Sequence, residues 1–151
     1  MDTDFLAPVL VSACLVGVRS RYDGRAATDR KLLARLKGQA IVPVCPEQLG
    51  GLPTPRRPAQ IKGGDGRDVL AGRARVVRCD GTDVTRQFIR GAREAARLAK
   101  RLGVKAAYLK SKSPSCGVGC IRSGKKLVKG DGVCAALLRR EGVRVVTGDR
   151  R

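Results

Sequence analysis

"AIVPVCPEQLGG", residues 40–51, runs from a short apolar stretch straight into a cysteine, a proline and a glutamate. Ile41, Val42 and Val44 make Ala40–Cys45 apolar on both faces, the pattern of a strand in a parallel sheet covered by helices. Pro46 lacks a backbone donor, so strand pairing should stop there. Cys45 therefore stands where a strand ends, and Glu47 projects from the loop beyond it. That is a poor place for a packing thiol and a good place for a ligand.

The same short apolar pattern recurs at Val9–Cys14, Ala74–Cys79, Ala106–Lys110 and Val143–Thr147. Helical stretches separate these runs. Asp29–Lys37 reads as a helix with Thr28 as its N-cap. Val84–Leu102 is the longest, capped by Asp83, with Val84, Phe88, Ala92, Ala95, Ala99 and Leu102 spaced three or four apart on one face. Val133–Glu141 reads as a third, ending at Gly142. Strands alternating with helices predict an α/β fold: a Rossmann-like open, mostly parallel sheet with flanking helices. A chain of 151 residues suits one domain over 1–151. Two stretches depart from the alternation. Residues 46–66, rich in Gly and Pro, read as a loop too long for a mere connection, functional or disordered. Residues 111–132 lack periodicity, with room for a small hairpin near "SGKKLVKG".

Lys and Arg number 32 against 13 for Asp and Glu, a formal charge of +19 with no histidine. Most of these cations are Arg, so the charge barely changes with pH. A 42% hydrophobic share excludes a disordered chain. A polyanion partner is one meaning of the charge, and an Arg-rich genomic composition is another. The apolar segment of residues 5–18 starts beside acidic residues and is too short to span a bilayer, so it reads as a buried strand. A cytoplasmic protein with reduced thiols follows as the expectation.

Six cysteines are many for this length: Cys14, Cys45, Cys79, Cys116, Cys120 and Cys134. Cys14 and Cys45 end strands, and Cys116 lies in the loop after another. In a parallel sheet all three loops open at the carboxyl edge, where open α/β sheets bind ligands. A free cysteine is commonly a small buried hydrophobe. Three of them on one edge, flanked by Pro, Gly or Ser, argue instead for a shared ligand. Structural zinc prefers four ligands in close CxxC pairs, and the nearest pair here, Cys116 and Cys120, is spaced CxxxC. An iron–sulfur cluster accepts dispersed thiolates, and with three protein ligands one iron stays open as a Lewis acid.

Four blocks carry a resemblance: "SACLVGVRSRYDG" (12–24), "PVCPEQLGGLPTPRRPAQI" (43–61), "GTDVTRQFIRGA" (81–92) and "LKSKSPSCG" (109–117). Together they resemble the thiouracil desulfidase family over about residues 9–147. The resemblance implies a [4Fe–4S] cluster held by Cys14, Cys45 and Cys116, its fourth iron capturing the sulfur of a thiolated pyrimidine base or nucleoside. The implied reaction is a non-redox desulfuration in which thiocarbonyl becomes carbonyl and sulfide leaves. Glu47 would be the acid/base group, and chemistry supports this separately, since a base must meet water beside the sulfur-bearing carbon. Ser113 is the candidate hydroxyl that orients substrate or water. Ser111 and Ser115 compete with it, and Lys110 joins them as a substrate-binding candidate. Cys134 reads as core. Cys79 and Cys120 fall outside the ligand positions, although Cys120 could close the open iron.

Substrate size stays open between free thiouracil and 4-thiouridine in tRNA. Arg86, Arg90, Arg93, Arg97 and Arg101 form a basic stripe opposite the apolar face of the long helix. Lys110, Lys112, Arg122, Lys125, Lys126 and Lys129 surround the third cysteine loop, and Arg19, Arg21 and Arg25 follow the first. Aromatic residues are few (Phe5, Tyr22, Phe88, Tyr108), so RNA contact would be to the backbone. Two other classes compete: a non-catalytic zinc or cluster-containing RNA-binding module closed by Cys120, and a sulfur carrier using a persulfide on Cys116. Neither explains three dispersed loop cysteines together with Glu47 as well as an open cluster does.

Overall fold

The computed structural model describes residues 7–149, so Phe5 and the acidic start lie outside the described residues. In chain order the elements are β1 (Val9–Ser12), α1 (Arg30–Arg35), β2 (Ile41–Val44), α2 (Pro46–Leu49), β3 (Ala59–Lys62), α3 (Gly66–Leu70) and β4 (Arg75–Arg78). They continue with α4 (Thr85–Leu102), β5 (Ala106–Leu109), β6 (Cys120–Ser123), β7 (Lys126–Lys129), α5 (Val133–Arg140) and β8 (Arg144–Thr147).

Four of the runs read from the sequence form one sheet in the order β2-β1-β5-β8, with every pairing parallel. Leu10 and Val11 in β1 are fully buried on opposite faces, as a strand covered on both sides requires. Leu10 packs in a core with Phe88, Ala92 and Ala95 of α4 and Leu138 of α5. Val11 packs on the other side with Leu32 and Leu36, beneath α1. Pro43 sits within β2 without damage because β2 is an edge strand and the residue faces solvent.

The order of the strands decides where a ligand can sit. From β1 the chain adds β2 on one side and later β5 and β8 on the other, so the topology switches between β1 and β5. At such a switch the loops leave in opposite directions and open a crevice at the carboxyl ends of the strands.

Several expectations are corrected. The run at Ala74–Cys79 is not part of the parallel sheet: β4 pairs antiparallel with β3 in a separate two-stranded sheet. Residues 46–66 are not one long loop, since they hold α2, β3 and the start of α3. Both errors share a cause, because elements of four or five residues are too short to show a period. Pro46 does more than end a strand; it occupies the first turn of α2, where its missing N–H costs nothing. The cap of α1 is Asp29, not Thr28: its carboxylate accepts from Leu32 N at 2.9 Å. The cap position of α4 is Val84, although Asp83 still accepts from Thr85 N at 2.9 Å. The hairpin at "SGKKLVKG" is present as β6 and β7.

Candidate active site

At the carboxyl edge of the parallel sheet lies a cleft of about 730 Å³. Cys14, Cys45 and Cys116 all line it, as do Glu47, Lys110, Ser111, Lys112 and Ser113. Three separate connections deliver the thiols. After β1 the chain turns into a single 3-10 turn, Ala13–Val16, which carries Cys14. After β2, Cys45 is the N-cap of α2, whose first turn carries Glu47. After β5, the loop of residues 110–119 carries Cys116, and Ser113 Oγ accepts the N–H groups of Ser115 and Cys116 at 3.1 Å each.

Helix α2 is held by an unusually close crossing. Gly50 and Gly91 of α4 face each other there, and a Cβ on Gly91 would meet the carbonyl oxygen of Pro46. A Cβ on Gly50 would meet the carbonyl of Gln87. Only glycine lets the two backbones approach so closely. The inner face of α4 thus sets the position of Cys45 and Glu47.

All six cysteines are free thiols. Burial pushes the Cys14 thiol up to about 11, with nearby Lys110 opposing. Cys116, also buried, is raised well above its ordinary value by the same desolvation, then by the neighbouring Cys134 thiol, with the Ser12 hydroxyl opposing. These thiols keep their protons near neutrality unless something replaces them, and a bound cation does so. Among the described residues no three Cys, Asp or Glu side chains gather tightly enough to hold a single metal ion. A cubane cluster asks for something else, since its irons sit at separate corners and its thiolates stand apart. Three free thiols around one cleft, with no imidazole in the chain, make a soft donor set that fits such a cluster.

Two charged groups escaped the sequence reading. Arg56 is almost wholly buried, with its side chain 5% exposed, and its Nε donates to Glu47 Oε1 at 3.3 Å. Its Nη2 donates to Ser20 O at 2.9 Å and reaches Cys45 Sγ at 3.9 Å. Asp149, just past β8, accepts from Lys110 Nζ at 2.8 Å, from Ser111 N at 2.7 Å and from Ser111 Oγ at 3.0 Å. Burial would push the Asp149 carboxyl up, but those bonds outweigh it and hold it below the usual value. A hint existed for each: Arg56 lies inside one of the four matching blocks, and Asp149 follows a parallel strand at the edge that carries the cysteines.

The remaining candidates divide. Ser111 and Ser113 line the cleft, but their hydroxyls serve Asp149 and the loop amides. Ser115 is buried outside the lining, and its Oγ has no hydrogen-bond partner among the described residues. Arg21, Lys112 and Arg122 line the cleft, and Lys112 is held at φ 65°, a left-handed conformation rare for a residue with a Cβ. Lys112 O accepts from Arg122 N at 2.9 Å, which ties the two backbones together. Arg86, Arg90, Arg93 and Arg97 lie exposed on α4, outside the cleft. Cys134 is core, on α5. Cys120 lies on β6 and does not line the cleft, whereas Cys79, set aside on sequence, does.

Comparison with known proteins places this geometry. A family model described as 2-thiouracil desulfurase matches residues 9–150. A Bacillus subtilis (strain 168) protein, the uncharacterized YbbK, is 44% identical over 142 residues, covering 92% of this chain and 94% of its own. Among solved structures, the [4Fe-4S]-dependent thiouracil desulfidase TudS superposes with a TM-score of 0.80 at 40% identity, over 93% of this chain and 90% of that one.

Proposed function

The chain belongs to the 2-thiouracil desulfurase family, and from that premise we propose a [4Fe–4S]-dependent desulfidase that converts a thiolated uracil to uracil with release of sulfide. It works as one catalytic domain in the reducing cytoplasm, and no helix among the described residues is long and apolar enough to cross a membrane. Cys14, Cys45 and Cys116 would hold the cluster. When bound, it supplies an open, sulfur-seeking iron that acts as a Lewis acid toward the thiocarbonyl.

The chain's own groups do the rest. Glu47 is the acid/base residue: Oε1 is occupied by Arg56, and Oε2 makes no hydrogen bond among the described residues. Oε2 can therefore take a proton from the water that attacks the sulfur-bearing carbon and return it to the ring nitrogen or the departing sulfide. The balance is one water in and one hydrogen sulfide out, with no net oxidation. Lys110, anchored by Asp149, points a fixed cation at the cleft for the electronegative edge of the pyrimidine. Ser113 and Ser111 shape the loop against which the base lies.

The observation that carries this reading is the convergence of the three thiols and Glu47 on one cleft. Protein purified without oxygen should hold about four irons and four acid-labile sulfides per chain, and should convert thiouracil to uracil. Zinc without sulfide would sink it. Glu47→Gln should keep the iron and lose about 100-fold or more in kcat; a normal rate in that variant would remove Glu47 from the mechanism.

4-Thiouridine in tRNA is the second reading, supported by Lys112 and Arg122, which line the cleft and show no acidic partner among the described residues. Phosphates beside a reacting base would meet these cations. Activity on thiolated tRNA that falls with salt, with unchanged activity on free thiouracil, would favour it.

A further inference from the structure

Two adjacent arginines in "PTPRRP" have opposite fates. The Arg57 side chain is 67% exposed, with Asp80 at 3.9 Å. The Arg56 side chain is 5% exposed. A guanidinium has five N–H donors in a rigid fork, and leaving any of them unmet in a buried site is costly. Arg56 meets all five. Nε donates to Glu47 Oε1 at 3.3 Å; Nη1 donates to Thr54 Oγ1 at 2.9 Å and Pro53 O at 3.3 Å. Nη2 donates to Ser20 O at 2.9 Å and Cys45 Sγ at 3.9 Å.

We propose that Arg56 is a positioning residue that ties the Glu47 carboxylate to the sulfur of Cys45, so that proton carrier and ligand keep one geometry. The proposal rests on reading the cleft as the cluster site. As a thiol, Cys45 donates its S–H to Ser20 O at 3.6 Å. A ligand thiolate has no such proton, and Nη2–H of Arg56 is then the donor facing it. The cation thus sits between two groups that are anionic in the working enzyme. That arrangement explains why an arginine is buried here at all. Lysine could not replace it, because an ammonium has three donors and no planar fork. Arg56 also fixes where Glu47 points: one carboxylate oxygen is anchored and the other is left for chemistry. Residues that hydrogen-bond to ligands in this way tune a metal centre as well as place it.

The test uses protein purified without oxygen: wild type, R56Q, R57Q, E47Q and E47Q/R56Q. Iron and sulfide content is measured first. Wild-type protein lacking both would overturn the cluster reading itself, independently of Arg56. With the cluster present, R56Q should keep its iron, lose about 10–100-fold in kcat and change little in KM. E47Q/R56Q should be no slower than E47Q, because Arg56 acts through Glu47. The reduced cluster in R56Q should show a more negative midpoint potential, since a donor and a positive charge have left a ligand sulfur. R57Q, equal in charge change, should match wild type in both rate and potential. A kcat for R56Q within about twofold of wild type, multiplicative losses in the double variant, or an unmoved potential would each overturn the proposal. If R56Q does not accumulate, R56K carries the same test. It keeps the charge without the fork, so kcat should still fall and E47Q/R56K should match E47Q; full activity in R56K would overturn the proposal.

Discussion

The molecule has two basic regions that look alike in composition and behave differently. In the cleft, Arg56 meets five acceptors and Lys110 is locked to Asp149 at 2.8 Å. Along α4, the side chains of Arg86, Arg90, Arg93 and Arg101 make no hydrogen bond or ion pair among the described residues, and of the five only Arg97 has one, with Glu94 at 3.0 Å. A buried cation acts on particular atoms at fixed distances. An exposed row acts as a field, felt by any polyanion and weakened by salt. Charge counted along a sequence cannot separate the two. Burial does.

The contrast should be sharpest at the three cleft cysteines. Cys116→Ala should abolish iron binding and activity together, while replacing Arg86, Arg90, Arg93 and Arg97 with Gln should leave both intact; iron analysis and a thiouracil assay on the two proteins decide it. If the stripe variant also lost its iron, the two regions would not be separable. A second test asks whether α4 reaches the cleft through its inner face. Gly91→Ala puts a Cβ against the Pro46 carbonyl, so α2 must shift with Cys45 and Glu47. The expected cost is about 1–3 kcal/mol in a denaturant melt, with a loss of activity larger than the loss of folded protein. An unchanged melt and rate would show that the crossing yields without disturbing the site.

The buried region should also respond to pH. Burial holds the Cys134 thiol up to about 12 and the Cys14 thiol up to about 11, from an ordinary value of 9.0. Once pH exceeds 9.0, the unfolded chain gives up these protons while the folded one keeps them. The unfolded state then binds fewer protons, so the cluster-free protein should lose stability progressively as pH rises from about 9 toward 12. Cys134→Ala should flatten that slope in melts taken across the range. The smallest effect belongs to the arginine stripe of α4. Its fourfold Gln variant should act on free thiouracil within about twofold of wild type, and should show a shallower salt dependence only with thiolated RNA. An equal salt slope in both proteins would leave the stripe a solvated helix face.

That the three thiols and Glu47 share one cleft was readable from local pattern. Cys14, Cys45 and Cys116 each follow a short apolar run, and strands that are apolar on both faces are parallel, so their ends must meet at one edge. Glu47 follows from its tether to Cys45. Ser113 was read as a candidate hydroxyl, and its oxygen proves to be held by two loop amides. The strand at Ala74–Cys79 was misplaced because its partner, Ala59–Lys62, is too short and too polar to announce itself. Arg56 and Asp149 were missed for a related reason. Nothing local distinguishes Arg56 from Arg57, and the acceptors that bury it come from residues 20, 45, 47, 53 and 54.

The sequence alone determined the parallel sheet, the edge at which the cleft opens and the three thiols delivered there. Hydrophobic period, proline and the end of a strand are properties of neighbours along the chain, and they survive in any reading of it. Tertiary structure alone decided which charges are buried, that Cys79 rather than Cys120 shares the cleft, and that Gly91 sets the seat of Cys45. Those outcomes depend on desolvation and close packing that bring together segments far apart in the chain, such as residues 20, 45 and 56 or 46 and 91, and no short stretch of sequence contains them all.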